Sequence, residues 1–216
     1  MTTTKPAGRS GTRDNPRETR QNILEVATQE FADKGLAGAR IDEIAERTAS
    51  SKRMIYYYFG SKDGLYRAVL ERAYQRIRDQ EQQAGFEGME PDDALRAVVR
   101  HNFDYHFEHP EFVRLVMNEN VHHGAHIAEV EGLRARNRSA IDQLEAILKR
   151  GEAKGLFRAG IDPIDLHTMI SALSFYNVSN RYTFRHNFGV DFTEPSTRAR
   201  RREQIIECIL GWVSTR

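Results

Sequence analysis

Residues 41–60 read IDEIAERTASSKRMIYYYFG, and no other part of the chain constrains the architecture as tightly. A short helical segment, IDEIAERT, is joined by a tight connection to a second one, KRMIYYYF. Apolar Ile44, Ala45 and Ile55 would lock the two helices together. The spacing predicts a helix-turn-helix, whose second helix enters the major groove of a duplex. The same spacing also fits an ordinary solvated turn between two helices.

The second helix of this pair is the candidate recognition helix. With Ile55 facing inward, its outward residues are Ser51, Lys52, Arg53, Met54, Tyr56 and Tyr57. Arg and Lys reach guanine edges or phosphates, and Tyr hydroxyls hold phosphate oxygens. We therefore expect Lys52 and Arg53, at the start of the helix, to contact base edges. Tyr57 and Lys62 are expected to contact phosphates.

The apolar period is helical almost throughout the chain, and no alternating stretch predicts a strand. Gly35 would end a first helix, and Ser61 would cap a fourth one. Further helices are predicted at Pro91–His109, Pro110–Val121, roughly 127–154, Pro163–Arg185 and from Pro195 onward. The expected fold class is all-α.

Three regions are expected along the chain. Residues 1–15 are rich in Thr, Gly, Ser and Pro with scattered cations, and we interpret them as a flexible basic arm. Residues 16–84 would form the helix-turn-helix domain. Gly85 and Gly88 mark a break, and residues 85–216 would form a second helical domain.

Composition narrows the function classes. The 216 residues hold 32 Lys and Arg against 31 Asp and Glu, and the net charge of +1 excludes a uniformly basic surface. The mean hydropathy of −0.64 and the lack of a long apolar run argue against a spanning helix. No signal peptide is visible, so a soluble, cytoplasmic protein is predicted. The single Cys208, in an apolar helical pattern, is expected to be a core thiol.

Residues 19–70 resemble the N-terminal domain of the TetR family of transcriptional repressors. The resemblance rests on ILEVATQEFADKG followed by IDEIAERTASSKRMIYYYFGSKDGLYRAVL, above all on the pattern Ile-Tyr-x-Tyr-Phe-x-Ser-Lys. It implies a helix-turn-helix domain followed by a helical domain that forms a homodimer and houses an effector pocket. Two recognition helices would then dock one DNA turn apart on a near-palindromic operator.

Two departures from the family pattern bear on DNA binding. Ala49 and Ser50 stand where the family usually has Gly and Val, which puts the geometry of the turn in question. Ala39 and Arg40 stand where the family usually has a Thr pair. A capping hydroxyl is lost, and Arg40 is expected to gain a phosphate contact instead. The alternative is a solvated Arg40 without a partner.

The stretch 163–184 is apolar nearly all round, which indicates burial on both sides. The last helix carries a second apolar stripe that includes Leu210 and Trp212. Two helices from each chain would form a four-helix dimer interface around residues such as Leu173. Burial inside a single chain is the alternative.

The effector pocket is the family's implication, and its residues are expected among the middle helices. The aromatic and thioether candidates are Phe103, Phe107 and Met117, and the polar ones are Asn177 and Arg181. Such a set would suit a small, flat molecule that is anionic or carries oxygen. Alternatively, Asn177 and Arg181 form hydrogen bonds across the dimer interface.

Metal binding, cofactors and catalysis have weaker support. Glu119, His122 and His126 have a formal metal-ligand spacing, but Gly124 interrupts the helix and exposed or capping histidines explain them equally. We therefore expect no metal and no cofactor. No catalytic motif is visible.

Three functions are thus in competition. The leading hypothesis is a homodimeric repressor that binds operator DNA and is released by a small-molecule effector. The second is a small-molecule or metal-sensing protein whose DNA binding has degenerated, as the altered turn suggests. An enzyme is the third.

Overall fold

The computed structural model describes residues 15–215, and this part of the chain is all-α, as predicted. Within it an isolated bridge pairs Phe157 with Ser214, but no β-strand forms. Nor does this part contain a helix long and apolar enough to span a membrane. The helices are α1 (Pro16–Gly38), α2 (Ile41–Arg47), α3 (Lys52–Phe59), α4 (Lys62–Gln83), α5 (Pro91–Glu108), α6 (Pro110–Val121), α7 (Leu133–Ala153), α8 (Pro163–Ser179), α9 (Arg181–Phe188) and α10 (Pro195–Val213). Two single 3₁₀ turns, Phe86–Gly88 and Ile127–Glu129, precede α5 and α7.

Prolines and capping side chains begin the helices where the sequence predicts. The first residues of α1, α5, α6, α8 and α10 are prolines, whose missing N–H would have no helical partner there. The N–H of Gly64 donates to the Ser61 hydroxyl at 2.9 Å, and the N–H of Ile164 donates to the Asp162 carboxylate at 2.7 Å. Gly35 has φ 66° and ψ 174°, so it interrupts α1 three residues before its end.

Two predicted helices are shorter than expected. The stretch 163–185 is not one helix but two, because Asn180 adopts φ −105° and ψ 6° between α8 and α9. Asn favours such turns because its side chain competes with the helical backbone for hydrogen bonds. The helix expected over 127–154 starts only at Leu133, after Gly132 with φ 68°. Glycine takes this left-handed conformation at low cost, so it ends one local structure before the next begins.

The described residues form two apolar cores connected through α4. The first core unites α1 to α4 around residues such as Phe31 and Ile44, and Leu115 of α6 joins it. The second core unites α5, α7, α8 and α10. Ile77, in the second half of α4, packs with Tyr105 and Phe112 between the two. α4 thus packs into the first core and into this third cluster, and it also contacts α7 of the second core.

The boundaries of the three predicted regions stay predictions. Residues 1–14 of the expected arm lie outside the described residues, and Asn15 caps α1 by accepting the N–H of Arg17 at 3.1 Å. Beyond the end of α4, Gly85 has φ 65°, next to the boundary expected between residues 84 and 85.

The expectation of a core thiol is wrong. Cys208 is exposed on α10, whereas Ile205, Ile206 and Ile209 of the same helix are buried in the second core. Successive residues lie about 100° apart around a helix, so a neighbour of core residues can face away from them. The apolar pattern of α10 did not specify on which side of its stripe the thiol would fall.

Gly64 sets how closely α4 approaches the end of α3. A Cβ added at Gly64 would lie 2.1 Å from the carbonyl oxygen of Phe59, a backbone atom that cannot turn aside. A glycine at this position therefore lets the Ser61 cap and the first turn of α4 close against the recognition helix.

We predict that Gly64→Ala destabilises the chain by roughly 1–3 kcal/mol, because the extra methyl group forces α3 and α4 apart. Urea unfolding followed by circular dichroism measures the change. Gly88→Ala is the control, since a Cβ at Gly88 would have no heavy atom within 4 Å. Equal stability of both variants would contradict the close approach.

Candidate nucleic-acid interface and effector cavity

The α2–α3 pair has the packing of a helix-turn-helix. Ile44 of α2 and Ile55 of α3 are completely buried in the first core, next to Phe31 of α1. Tyr58 and Phe59 at the end of α3 also pack against that core, whereas residues 52–54, 56 and 57 are exposed. Tyr57 is 79% exposed, Tyr56 44% and Met54 38%. A short helix that exposes cations and large aromatic side chains matches the expected recognition helix.

The turn between α2 and α3 forms with Ala49 in place of the usual glycine. Ala49 has φ 50°, in the left-handed region that favours glycine. The N–H of Ser50 donates to the carbonyl of Ala45 at 3.0 Å, and the N–H of Ala49 donates to that of Glu46 at 3.2 Å. These two bonds are those of a Schellman motif, which satisfies the last carbonyls of a helix. The turn geometry is thus kept at the cost of backbone strain.

Several predicted DNA-contacting residues have partners within the chain. Ser51 is the N-cap of α3, where its hydroxyl accepts the N–H of Met54 at 3.2 Å. Lys52 forms an ion pair with Asp42. The half-buried Lys62 donates to the carbonyl of Ala37 at 3.3 Å.

Arg40 lies on the same exposed surface. It is the N-cap residue of α2, and its side chain makes no capping hydrogen bond. Its guanidinium lies 4.0 Å from the carboxylate of Asp42, and 68% of the side chain is exposed. Asp42 therefore contacts both Arg40 and Lys52. Arg53 is exposed beside them on α3.

A buried carboxylate that the sequence analysis did not identify holds the start of α2. Glu30 of α1 is 3% exposed and accepts the N–H of Arg40 at 3.4 Å. Its oxygens also lie 2.9 Å from Lys34 Nζ and 3.5 Å from Arg47 Nη1. Breaking such a buried pair leaves an uncompensated charge, so Glu30 fixes α2 on α1. The sequence signal for this buried position was that Glu30 lies one turn after Ala27, on the apolar stripe of α1.

Of the five candidate ligand-binding residues, Phe103 and Phe107 pack on one another with ring centroids 4.9 Å apart, but the five do not line one cavity. Phe103 is fully buried in the second core, Phe107 packs under the guanidinium of Arg198, and Met117 is 38% exposed. Asn177 is fully buried, and its amide is satisfied within the chain by Leu173 and Arg201. The bonds across a dimer interface that we considered are therefore not needed to satisfy it.

Arg181, the last of the five, lies at the start of α9 rather than in α8. Its guanidinium packs on the ring of Tyr182 at 4.6 Å and donates to the Tyr182 hydroxyl at 2.7 Å. The break at Asn180 separates it from the helix on which the prediction placed it.

A cavity of about 600 Å³ lies between α4, α5, α6 and α8. Three of these helices are the predicted ones, but the lining residues are their neighbours, and α4 was not expected to contribute. The cavity is lined by Tyr74, Ile77, Arg78, Asn102, His106, Phe112, Val116, Asn120, His167, Thr168, Ser171, Ala172 and Phe175. Its size is that of a small-molecule site.

Glu119 and His126 meet through hydrogen bonds. Glu119 is 3% exposed and accepts the N–H of Ile127 at 2.9 Å. Its other oxygen lies 3.3 Å from His126 Nδ1. The His126 ring packs edge-on against Tyr66 of α4, and burial beside Glu119 raises the pKa of Tyr66. The exposed His122 is not part of this cluster, which connects α6 to α4.

The exposed α3, the packing of α2 against it and the second helical region with its cavity define a DNA-binding regulator of the helix-turn-helix class. Comparison with known proteins narrows the class. Residues 23–69 match the family described as "Bacterial regulatory proteins, tetR family", and residues 91–209 match "Tetracyclin repressor-like, C-terminal domain". The chain belongs to the TetR family.

Individual relatives agree with this assignment. The transcriptional repressor NicS of Pseudomonas putida is 39% identical over 181 residues, which cover 84% of this chain and 85% of NicS. The repressor SCO4008 of Streptomyces coelicolor is 32% identical, covering 76% of this chain and 80% of its own. The structure of the regulator SCO4942 of Streptomyces coelicolor, 26% identical, aligns with a TM-score of 0.68 over 90% of this chain and 98% of that chain. The protein is thus a ligand-responsive, DNA-binding repressor of this family.

We predict that Ala49→Gly stabilises the chain by about 1 kcal/mol, because glycine removes the left-handed strain at a modest entropic cost. Thermal unfolding measures the gain. Ala39→Gly serves as the control and should destabilise, since Ala39 has φ −66° and is buried. A loss of stability in Ala49→Gly would show that Ala49 is not strained.

Proposed function

We propose that this chain represses transcription as a homodimer, with α3 of each protomer in successive major grooves of a near-palindromic operator. The observation that carries the proposal is the exposed face of α3, held rigidly from behind by Ile55. A regulator of this kind acts in the cytoplasm, where its operator lies, and needs no catalytic chemistry.

The exposed residues fall into two roles. Arg53 and Lys52, at the start of α3, read base edges, because the first turn of a recognition helix reaches deepest into the groove. Met54 and Tyr56 contact the groove beside them. Phosphate contacts come from Arg40, Ser51, Tyr57 and Lys62, which surround α3. Phosphate contacts fix the position of the protein on the duplex and base contacts select the sequence.

The dimer forms through α8 and α10. On α8, Ile164 is 52% exposed and Tyr176 42%, so one side of this apolar helix is uncovered in the single chain. On α10, a Cβ added at Gly211 would have no heavy atom within 4 Å, which leaves room for a close neighbour. Both helices belong to the second core of one chain. A partner's α8 and α10 would complete a four-helix interface.

The effector acts through α4. This helix places Leu65 in the first core and Arg78 in the cavity wall, so a ligand that shifts its second half also moves the first. The recognition helices of the dimer then no longer fit successive grooves. A ligand shifts this balance only by the difference between its affinities for the two arrangements.

The roles of the α3 residues are separated by substitution. Arg53→Ala should weaken operator binding by roughly 1–3 kcal/mol and relax the preference at one base position. Tyr57→Phe should weaken binding to all duplexes alike, because only a phosphate contact is lost. Fluorescence anisotropy against the operator and its single-base variants measures both effects.

Arg138→Ala is the control for these measurements, since Arg138 is an exposed cation on α7, away from α3. Unchanged operator affinity in a folded Arg53→Ala protein would refute the base-reading role. A loss in Tyr57→Phe confined to one operator position would refute the phosphate role.

Dimerisation is tested at Gly211, because Leu173 and Leu210 also pack against the chain's own core. Gly211→Arg should leave each chain folded but give monomers in sedimentation velocity at micromolar concentration, with a steep loss of operator affinity. Gly88→Arg, at an equally open glycine far from α8 and α10, should remain dimeric. A dimeric Gly211→Arg protein, or a monomeric wild type, would place the interface elsewhere or remove it.

A further inference from the structure

Three polar side chains in the cavity wall each contain an atom without a hydrogen-bond partner in residues 15–215. Arg78 and Asn102 are each 7% exposed and His106 is 3% exposed. The atoms without a hydrogen bond are Arg78 Nε, Asn102 Oδ1 and His106 Nδ1. Buried polar groups are nearly always paired in folded proteins. These three atoms have almost no accessible surface, so a ligand in the cavity would instead meet the other nitrogens of the same side chains, such as Arg78 Nη2.

Arg78 brings a guanidinium group to the wall of the cavity. Arginine stays protonated in proteins, so Arg78 presents a permanent cation. Its only ion-pair partner in the described chain is Glu81, whose carboxylate lies 2.7 Å from Nη1, leaving the other guanidinium donors available. Glu81 does not line the cavity, and none of the described lining residues is an Asp or a Glu.

The histidines do not add to this charge at neutral pH. Burial lowers the pKa of His106 to about 4, and burial with the nearby Arg78 lowers the pKa of His167. Both rings are therefore neutral, and each presents one N–H donor and one acceptor. Among the described lining residues, Arg78 is the single charge that an occupant would meet.

Aromatic rings form the apolar part of the wall. The His106 ring lies parallel to that of Phe112, with centroids 6.1 Å apart, and edge-on to Phe175 at 5.6 Å. Tyr74 packs edge-on against Phe112 at 5.3 Å. Flat, rigid walls of this kind favour a ring system over a flexible chain, because rings stack on them face-to-edge or offset.

We infer that the cavity binds a ring-containing carboxylic acid. The carboxylate pairs with the guanidinium of Arg78, and the ring contacts Phe112 and Phe175. A charge-assisted, two-point contact with arginine is the geometry that best recognises a carboxylate. That this acid is the effector rests on the proposed function, whereas its binding to the cavity does not.

Calorimetric titration with paired probes tests the acid requirement. The probes are benzoate, 4-hydroxybenzoate and 6-hydroxy-2-naphthoate, each compared with its neutral carboxamide. We expect each acid to bind at least tenfold more tightly than its amide. Equal affinity of acid and amide, or no binding of any of the acids at 1 mM, would overturn the inference and leave the buried polar groups to water.

Asn102→Asp locates the carboxylate without removing volume. The new carboxylate would pair with Arg78 and repel the acid, so the preference for acid over amide should fall at least tenfold. Asn187→Asp makes the same change on the exposed surface of α9 and should bind both probes as the wild type does. An unchanged preference in Asn102→Asp would exclude this wall. Phe175→Leu removes an aromatic ring from the wall but keeps an apolar side chain there. It should weaken the binding of the naphthoate more than that of the benzoates.

Operator release is measured separately, by adding the bound acid to the protein–operator complex. Binding to the cavity without release would keep the site and refute the effector role. Release by acids and amides alike would keep the effector role and refute the recognition of a carboxylate.

Discussion

One uninterrupted helix, α4, connects the proposed DNA-binding surface to the cavity. Its first turn is capped by Ser61 and pressed against the end of α3, which Gly64 alone makes possible. Its second half carries Ile77 and Arg78 into the cavity wall. Because helical hydrogen bonds make such a rod stiff, we expect a displacement at Arg78 to be passed to α3 rather than absorbed between them. The two cores can therefore affect one another even though their sequences differ.

Much of this fold can be predicted from local sequence. Pro91 and Pro163 begin helices for steric reasons that need no tertiary context, and Ser61 begins one by supplying an acceptor. Where prediction failed, a single residue changed the outcome. Asn180 ends α8 although the apolar period continues past it, and Cys208 lies outside the buried stripe of α10. Periodicity gives the existence of a helix but not its small interruptions.

The two candidate sites differ in how much of each can be predicted from the sequence. The DNA-facing residues share one helix, so burying Ile55 automatically exposes Arg53 and Tyr57, and their exposure on one surface follows from the pattern. The cavity is assembled from four helices, and the presence of Arg78 and Asn102 in one wall depends on how those helices cross. The prediction chose α5, α6 and α8 but selected Phe103 and Asn177, which face inward to other partners. Glu30 was missed because the cations that pair with it, Lys34 and Arg47, do not belong to the apolar stripe on which it lies.

Asp42 gives the DNA-binding surface a built-in anion. Its carboxylate pairs with Lys52 and lies within ion-pair distance of Arg40, so one of these two positive charges is compensated before the proposed contacts with a duplex form. In the proposed complex, a phosphate at Arg40 or a base edge at Lys52 must displace this carboxylate, which lowers the gain in free energy from the new contact. The penalty at Arg40 applies to every duplex equally, whereas the proposed contacts of Arg53 with bases are unaffected. The proposed complexes with unrelated DNA, of which a genome holds a vast excess, would therefore have shorter lifetimes. A larger fraction of the protein would then be free to find its operator.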